Sequence, residues 1–171
     1  ETAELLAGIA KNKVVLLEMG IESVRNKTLQ RINRGHDFAC TGRAFALAAD
    51  YGLFTTGHYI IGLPGESREE ILSDAAVLNN LPMSALKLHQ LQIIRNTTME
   101  KDFLDNPSDY TLFELAEYID FIVSFAERLR PDLLIDRFAG EVPPAFLRGE
   151  TTAMFICKAV DGTCKKLTSL D

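Results

Sequence analysis

The sequence has few of the features that mark secreted or membrane-anchored proteins. Its 171 residues contain three cysteines, Cys40, Cys157 and Cys164, whose odd number and spacing form neither a disulfide framework nor a CxxC pair. No apolar run approaches the roughly 20 residues of a membrane span, and no basic-then-apolar leader is present. These absences predict a protein of the reducing cytoplasm with no membrane association.

Positive charge is also scarce. Lys and Arg number 18 against 24 Asp and Glu, the formal net charge is -6, and no basic run occurs, so bulk charge does not favour nucleic-acid binding. Hydrophobic residues at 47% and charged residues at 25% are globular values, which exclude disordered, collagen-like and low-complexity architectures. The length is that of one domain.

Strand and helix signals alternate along the chain. After a short helix over 2–10, aliphatic and β-branched runs predict parallel strands near 14–19, 57–62 and 86–92, with a fourth near 133–138. The run at the first strand is continuous, which is typical of a strand buried on both faces. A βα alternation of this kind predicts an α/β fold with right-handed crossovers.

Capping chemistry places the intervening helices. Asp37 is a candidate cap for a helix ending near Gly52, and Ser67 with Glu70 has the spacing of a capping box. The third strand is expected to be followed by a loop. A further helix is predicted over 26–33. The last helix is expected to start at about residue 109, since Thr111 and Glu114 have the spacing of a capping box, and to end at Pro131.

Each predicted strand has one aliphatic face and one face with ionisable groups. Because a doubly covered parallel sheet is normally apolar on both faces, this asymmetry indicates an open barrel whose lumen holds a polar ligand. The lumenal residues would be Glu18, Gly20 and Glu22 on the first strand, His58 on the second, Lys87 and His89 on the third, and either Asp136 or Arg137 on the fourth.

Two polar, turn-rich strings follow strands, where barrel enzymes carry catalytic groups: EMGIESVRNKTLQRINRGHDFA and HYIIGLPGES. GLPGES lacks the Lys-Ser/Thr ending of a nucleotide P-loop, which excludes that motif. Together with KLHQLQI over 87–93, the two strings resemble the radical S-adenosylmethionine (radical SAM) enzymes. The nearest likeness is to the bacterial Fe-S oxidoreductase branch, near the elongator-catalytic-subunit and oxygen-independent coproporphyrinogen oxidase groups.

The resemblance implies a fold and an activity. The fold is a partial (β/α) TIM-like barrel over 1–141, made of the later strands only, with a short C-terminal extension over 142–171 and a hairpin near Asp161-Gly162. The intact enzyme would cleave S-adenosylmethionine reductively to a 5'-deoxyadenosyl radical, which abstracts hydrogen from an unknown substrate.

The resemblance also implies site residues. Glu22 would contact the ribose of S-adenosylmethionine, Arg34 its methionine carboxylate, and His58 would lie beside the cofactor, while the backbone near Leu91 and Ile93 would flank the adenine. The substrate side is expected to be lined by three candidate catalytic residues, Lys87, His89 and Arg137.

One part of the family pattern is absent. The sequence has no CxxxCxxC motif and no GGE-like motif, and its three cysteines have the wrong spacing for a [4Fe-4S] cluster, so no metal ligand is assigned in this chain. The resemblance therefore implies that the chain is a C-terminal segment, inactive alone, with the cluster bound by a preceding part.

Two other functions fit the pattern. A barrel lyase or aldolase could use Lys87 as a Schiff-base nucleophile if its pKa were depressed. A non-catalytic module could form a homodimer by pairing the exposed edge strands of an incomplete barrel.

Overall fold

A computed structural model of the chain describes residues 1–140 and Phe146. The predicted hairpin and most of the predicted extension lie outside these residues, and the predicted domain boundary stays a prediction. The described elements follow one another in this order: α1 (Thr2–Ala10), β1 (Leu16–Glu22), α2 (Asn26–Arg31), α3 (Phe38–Asp50), β2 (Phe54–Ile61), α4 (Arg68–Leu78), β3 (Ala85–Gln90), α5 (Thr98–Asp105), a 3-10 turn (Pro107–Asp109), α6 (Leu115–Ala126) and β4 (Leu134–Arg137).

The four strands form one parallel sheet in the order β1-β2-β3-β4. Each strand therefore pairs with the next one along the chain, without the reversal of strand order that marks a doubly wound sheet. This sequential order confirms the predicted α/β fold and is that of a segment of a (β/α) barrel.

The hydrophobic core lies between the sheet and the helices that connect its strands. Ile21, Tyr59 and Leu86 point from three successive strands into this core and are completely buried. The Tyr59 ring stacks on Phe125 of α6 with 5.7 Å between ring centroids. Since alternate residues face opposite ways, the other face of the sheet carries the predicted ionisable side chains.

The first strand differs from the prediction in position and in burial. It begins at Leu16, and Val14 and Leu16 are 88% and 61% exposed, so the expectation of a strand buried on both faces is wrong. The physical reason is that β1 is an edge of the described sheet. Leu134, on β4 at the opposite edge, is 59% exposed.

The region after β3 also differs from the prediction. The third strand is followed by a loop, as expected, but the loop leads into α5, which Thr97 caps by accepting from the Glu100 N–H at 3.2 Å. The helix expected from residue 109 begins only at Leu115, since Glu114 forms its capping box with Glu117. The capping box of Ser67 and Glu70 is confirmed, with both of its hydrogen bonds present.

Candidate functional site

The carboxyl end of β1 closes in a tight turn at Glu22. Glu22 has a φ of 62°, and the Ser23 N–H donates to the Ile21 carbonyl at 2.8 Å, which together make a γ-turn of the rare positive-φ kind. The register with β2 shifts at the same point, because Gly20 pairs with His58 whereas Glu22 pairs with Tyr59. The turn brings the Glu22 carboxylate back over Gly20, where a β-carbon would lie only 2.1 Å from Oε1.

Arg34 reaches the same place from the loop after α2. Asn33 takes the left-handed conformation that ends helices, with a φ of 54°, and the Arg34 N–H donates back to Leu29 at 2.9 Å. The Arg34 guanidinium then donates to the Gly20 carbonyl at 2.9 Å and lies 3.8 Å from the Glu22 carboxylate. Its Nε is buried and has no hydrogen-bond partner among the described residues. Arg34 therefore keeps one unsatisfied hydrogen-bond donor at this place.

Two cavities meet at Arg34. One, of about 280 Å³, lies against β1 and α3 and is lined by Met19, Gly20 and Phe45 among others. The other, of about 440 Å³, lies along α2, and both are bordered by Arg34 and His36. The site is therefore a pocket beside Arg34 at the carboxyl end of β1.

The electrostatics of Glu22 reflect its position beside Arg34. Burial raises the pKa of Glu22, and the nearby Arg34, His58 and His36 act in the opposite direction. The structure thus brings the three sequence-predicted residues Glu22, Arg34 and His58 into one neighbourhood at the ends of β1 and β2.

A second polar group lies on the lumenal face behind this pocket. The Glu18 carboxylate forms hydrogen bonds with His58 Nε2 at 2.8 Å and with Lys87 Nζ at 2.5 Å. Lys87 Nζ also lies 3.2 Å from the Asp136 carboxylate. Of the two alternatives on β4, Asp136 therefore bonds to Lys87. The hydrogen bond to Glu18 is the main reason that the pKa of Lys87 is raised. A Schiff-base nucleophile needs a lowered pKa, so this environment contradicts the lyase alternative.

His89 extends the same group toward the end of β3. Its ring stacks on His58 with 5.2 Å between centroids, and its Nε2 lies 3.2 Å from His58 Nδ1. Burial, followed by the charge of His58 and then that of Arg137, lowers the pKa of His89, which favours the neutral imidazole. Gly140 permits the close packing there, since a β-carbon on it would lie 2.7 Å from His89 Nδ1.

Leu91 and Ile93 lie at the carboxyl end of β3, one strand further along the sheet. The Leu91 N–H donates to the Ile61 carbonyl at 2.8 Å, so the backbone follows β2 beyond the last strand pair. Ile93 is 2% exposed. Their position beside β2 is compatible with the adenine role implied by the resemblance, which stays a prediction.

Sequence reasoning missed a buried polar network beneath the pocket. Ser23 donates to Glu66 at 2.5 Å, and Tyr59 donates to Asp74 at 2.7 Å. Glu66 and Asp74 are each 2% exposed. The GLPGES string contains the relevant signal, because its Glu follows a strand end directly, but the sequence alone assigns it only to a turn before a helix.

The described residues do not fit an iron–sulfur cluster or another metal. No group of three or more His, Cys, Asp or Glu side chains within 1–140 could hold a metal ion. Residues 1–140 contain one cysteine, Cys40. A [4Fe-4S] cluster needs several thiolates. In the same part of the chain, no helix has the length and apolarity required to cross a membrane.

Comparison with known proteins reveals relatives over most of the chain. It is 30% identical over 149 residues to MJ0486 of Methanocaldococcus jannaschii, matching 86% of this chain and 46% of that protein. It is 44% identical over 87 residues to YhcC of Escherichia coli K12, matching 51% of this chain and 28% of YhcC. The heme chaperone HemW of Haemophilus influenzae is 30% identical over 116 residues, 67% of this chain and 30% of HemW. The chain thus spans less than half the length of these relatives.

A solved structure and two family models agree with this relationship. The archaeal Elp3 of Methanocaldococcus infernus, with its N-terminus deleted, superposes with a TM-score of 0.73 at 19% identity, covering 92% of this chain and 38% of Elp3, which shows the fold alone. The Radical SAM superfamily model matches residues 1–78, and the Radical_SAM C-terminal domain model matches residues 83–165. The chain belongs to the radical SAM superfamily.

Proposed function

We propose that this chain forms the later strands of a radical SAM enzyme and holds S-adenosylmethionine at the carboxyl ends of β1 and β2. The observation that carries the proposal is the pairing of Arg34 and Glu22 over Gly20, with 3.8 Å between guanidinium and carboxylate. A side chain at Gly20 would occupy this space. The residues therefore fit a ligand that has both an anionic group and hydroxyl groups.

Each residue of the pocket has a separate role in this proposal. Arg34 receives the methionine carboxylate, since a guanidinium can form two parallel hydrogen bonds and its Nε has no partner among the described residues. Glu22 accepts from the ribose hydroxyls, and His58 borders the cofactor from β2. When bound, S-adenosylmethionine would supply the 5'-deoxyadenosyl radical for hydrogen abstraction, with the electron for its reductive cleavage coming from the [4Fe-4S] cluster.

The polar group on the lumenal face, which is centred on Lys87, would face the substrate. Glu18 and Asp136 hold the Lys87 ammonium between them, which fixes its position on the ionisable face of the sheet. His89 is favoured as a neutral imidazole and Arg137 supplies a cation nearby. We therefore retain Lys87, His89 and Arg137 as candidates for substrate contact.

The [4Fe-4S] cluster is proposed to be bound outside this chain. The support is that the sequence contains no CxxxCxxC motif, while relatives such as MJ0486 are more than twice the matched length. The cysteine pattern supports a cytoplasmic location for the enzyme. A dimerising module and a partial barrel would both have unpaired edge strands. The edge positions of β1 and β4 in the described sheet therefore do not distinguish between these two functions.

The test is the affinity of the full-length protein for S-adenosylmethionine, measured by calorimetry. Loss of the charge-assisted hydrogen bonds in Arg34→Ala should weaken binding by about 1.5–3 kcal/mol, which is roughly 10- to 150-fold. Arg34→Lys should restore little, because an ammonium cannot copy the two-point geometry. The matched control is Arg43→Ala, an exposed arginine of α3. Unchanged affinity in Arg34→Ala would refute the proposed site.

A further inference from the structure

A buried acid lies directly behind the turn that presents Glu22. Glu66 follows β2 in the GLPGES loop, and its carboxylate accepts the Ser23 hydroxyl at 2.5 Å. Ser23 is completely buried and Glu66 is 2% exposed. Because Ser23 comes immediately after Glu22, one buried hydrogen bond joins the loops that follow β1 and β2.

The Glu22 turn needs such support. A non-glycine residue with a φ of 62° occupies a sparsely populated region, and that conformation persists only where the surroundings hold it. Ser23 stabilises the turn with its backbone and its side chain. Its N–H donates to the Ile21 carbonyl and closes the turn, and its hydroxyl accepts from the Arg25 N–H at 3.0 Å. The same hydroxyl donates its hydrogen to the Glu66 carboxylate.

Glu66 is itself fixed in position. Thr111 donates to the Glu66 carbonyl at 3.0 Å, and the Glu66 N–H donates to Leu63 at 3.3 Å. Burial raises the pKa of Glu66, whereas hydrogen bonds from Ser23 and Thr28 lower it. A carboxyl is costly to bury unless its hydrogen bonds are made. The Glu66 Oε1 accepts from Ser23, next to the turn that carries Glu22, whereas Oε2 is buried without a hydrogen-bond partner among the described residues.

We propose that Glu66 is a positioning residue for Glu22. By holding Ser23, it keeps the γ-turn in the conformation that presents the Glu22 carboxylate over Gly20, toward the ribose of S-adenosylmethionine. The inference rests on the proposed function, since it assigns Glu66 to the same cofactor site.

The experiment is a double-mutant cycle in the full-length protein, with S-adenosylmethionine affinity and urea unfolding measured for each variant. Glu66→Ala should weaken binding about tenfold in the wild-type background and by less than about twofold in the Glu22→Ala background. Glu66→Gln should keep affinity within about threefold of wild type, because its amide oxygen can still accept from Ser23. The matched control is Asp74→Asn, another buried carboxylate, whose partners are Tyr59 and Arg25; it should lose stability but not affinity.

The outcomes separate the two claims. An equal loss of affinity on Glu66→Ala in both backgrounds would overturn the positioning role and leave the proposed function intact. Unchanged affinity in Glu22→Ala would overturn the ribose contact and the positioning role with it. If Glu66→Ala does not fold, Ser23→Ala takes its place in the cycle, since it removes the hydroxyl that Glu66 holds, and the same criteria apply.

Discussion

Replacement of Gly20 by alanine tests whether the space between Glu22 and Arg34 belongs to a binding site. The added methyl carbon would lie 2.1 Å from Glu22 Oε1 and 2.7 Å from Arg34 Nη2, so both side-chain ends must move. Displaced in this way, the two groups lose the geometry of their hydrogen bonds to the ligand, which are worth about 1.5–3 kcal/mol where they involve a charge. We therefore expect Gly20→Ala to weaken S-adenosylmethionine binding by about 10- to 150-fold, the range for lost charge-assisted hydrogen bonds.

The same substitution should affect folding little. Its close neighbours are the flexible ends of two partly exposed side chains, and alanine is favoured over glycine in a strand by roughly 0.5–1 kcal/mol. The matched control is Gly57→Ala on the core face of β2. There the methyl would lie 2.6 Å from Ile21 Cδ1 and 3.0 Å from Met83 Sδ, so overpacking should cost about 1–3 kcal/mol.

Calorimetric binding and urea unfolding of both variants separate the two effects. The expected pattern is that Gly20→Ala loses affinity but keeps its stability, whereas Gly57→Ala loses stability and, where folded, keeps its affinity. Wild-type affinity in Gly20→Ala would refute the reasoning, because the contacts over Gly20 would then be irrelevant to the ligand.

Three further results are expected. Ser67→Ala should lower the free energy of unfolding in urea by about 0.5–2 kcal/mol, because it removes the capping box of α4, and an unchanged midpoint would show that the cap adds nothing. Tyr59→Phe should cost about 1–3 kcal/mol in the same assay, since it removes a hydrogen bond from the buried Asp74; a neutral result would mean that Arg25 alone satisfies that carboxylate. Anaerobic reconstitution of the 171-residue chain should yield no [4Fe-4S] cluster, and stoichiometric iron and sulfide would show that its three cysteines suffice.

Local chemistry explains which parts of the fold could be predicted. The capping box at Ser67 depends on residues three apart, and the alternation of Leu86, Lys87 and Leu88 fixes two faces of β3. Helix α5 was not predicted, although Thr97 and Glu100 have the spacing of a helix cap, because it has only eight residues and its apolar pattern is limited to Met99, Phe103 and Leu104. The exposure of Val14 could not be predicted either, since a continuous aliphatic run does not reveal whether a second strand covers it.

Some features of the candidate site could likewise be predicted from the sequence, and others could not. Inward placement of His58 follows from strand alternation, whereas the Glu22 carboxylate reaches its position through the γ-turn. The family resemblance implies that Arg34 shares a site with Glu22, but not that the two side chains pair. The γ-turn at Glu22 was not predictable, because nothing in the sequence indicates a positive φ at a non-glycine residue. The burial of Glu66 was also missed, since it results from contacts with Ser23 and Thr111 that are distant in the sequence.

The most direct test of the central claim is a crystal structure of the full-length protein with S-adenosylmethionine. The account predicts ligand density at the carboxyl ends of β1 and β2, with the methionine carboxylate on the Arg34 guanidinium and the ribose hydroxyls within hydrogen-bonding distance of Glu22. Density at another site, with Arg34 and Glu22 still facing only each other over Gly20, would contradict it.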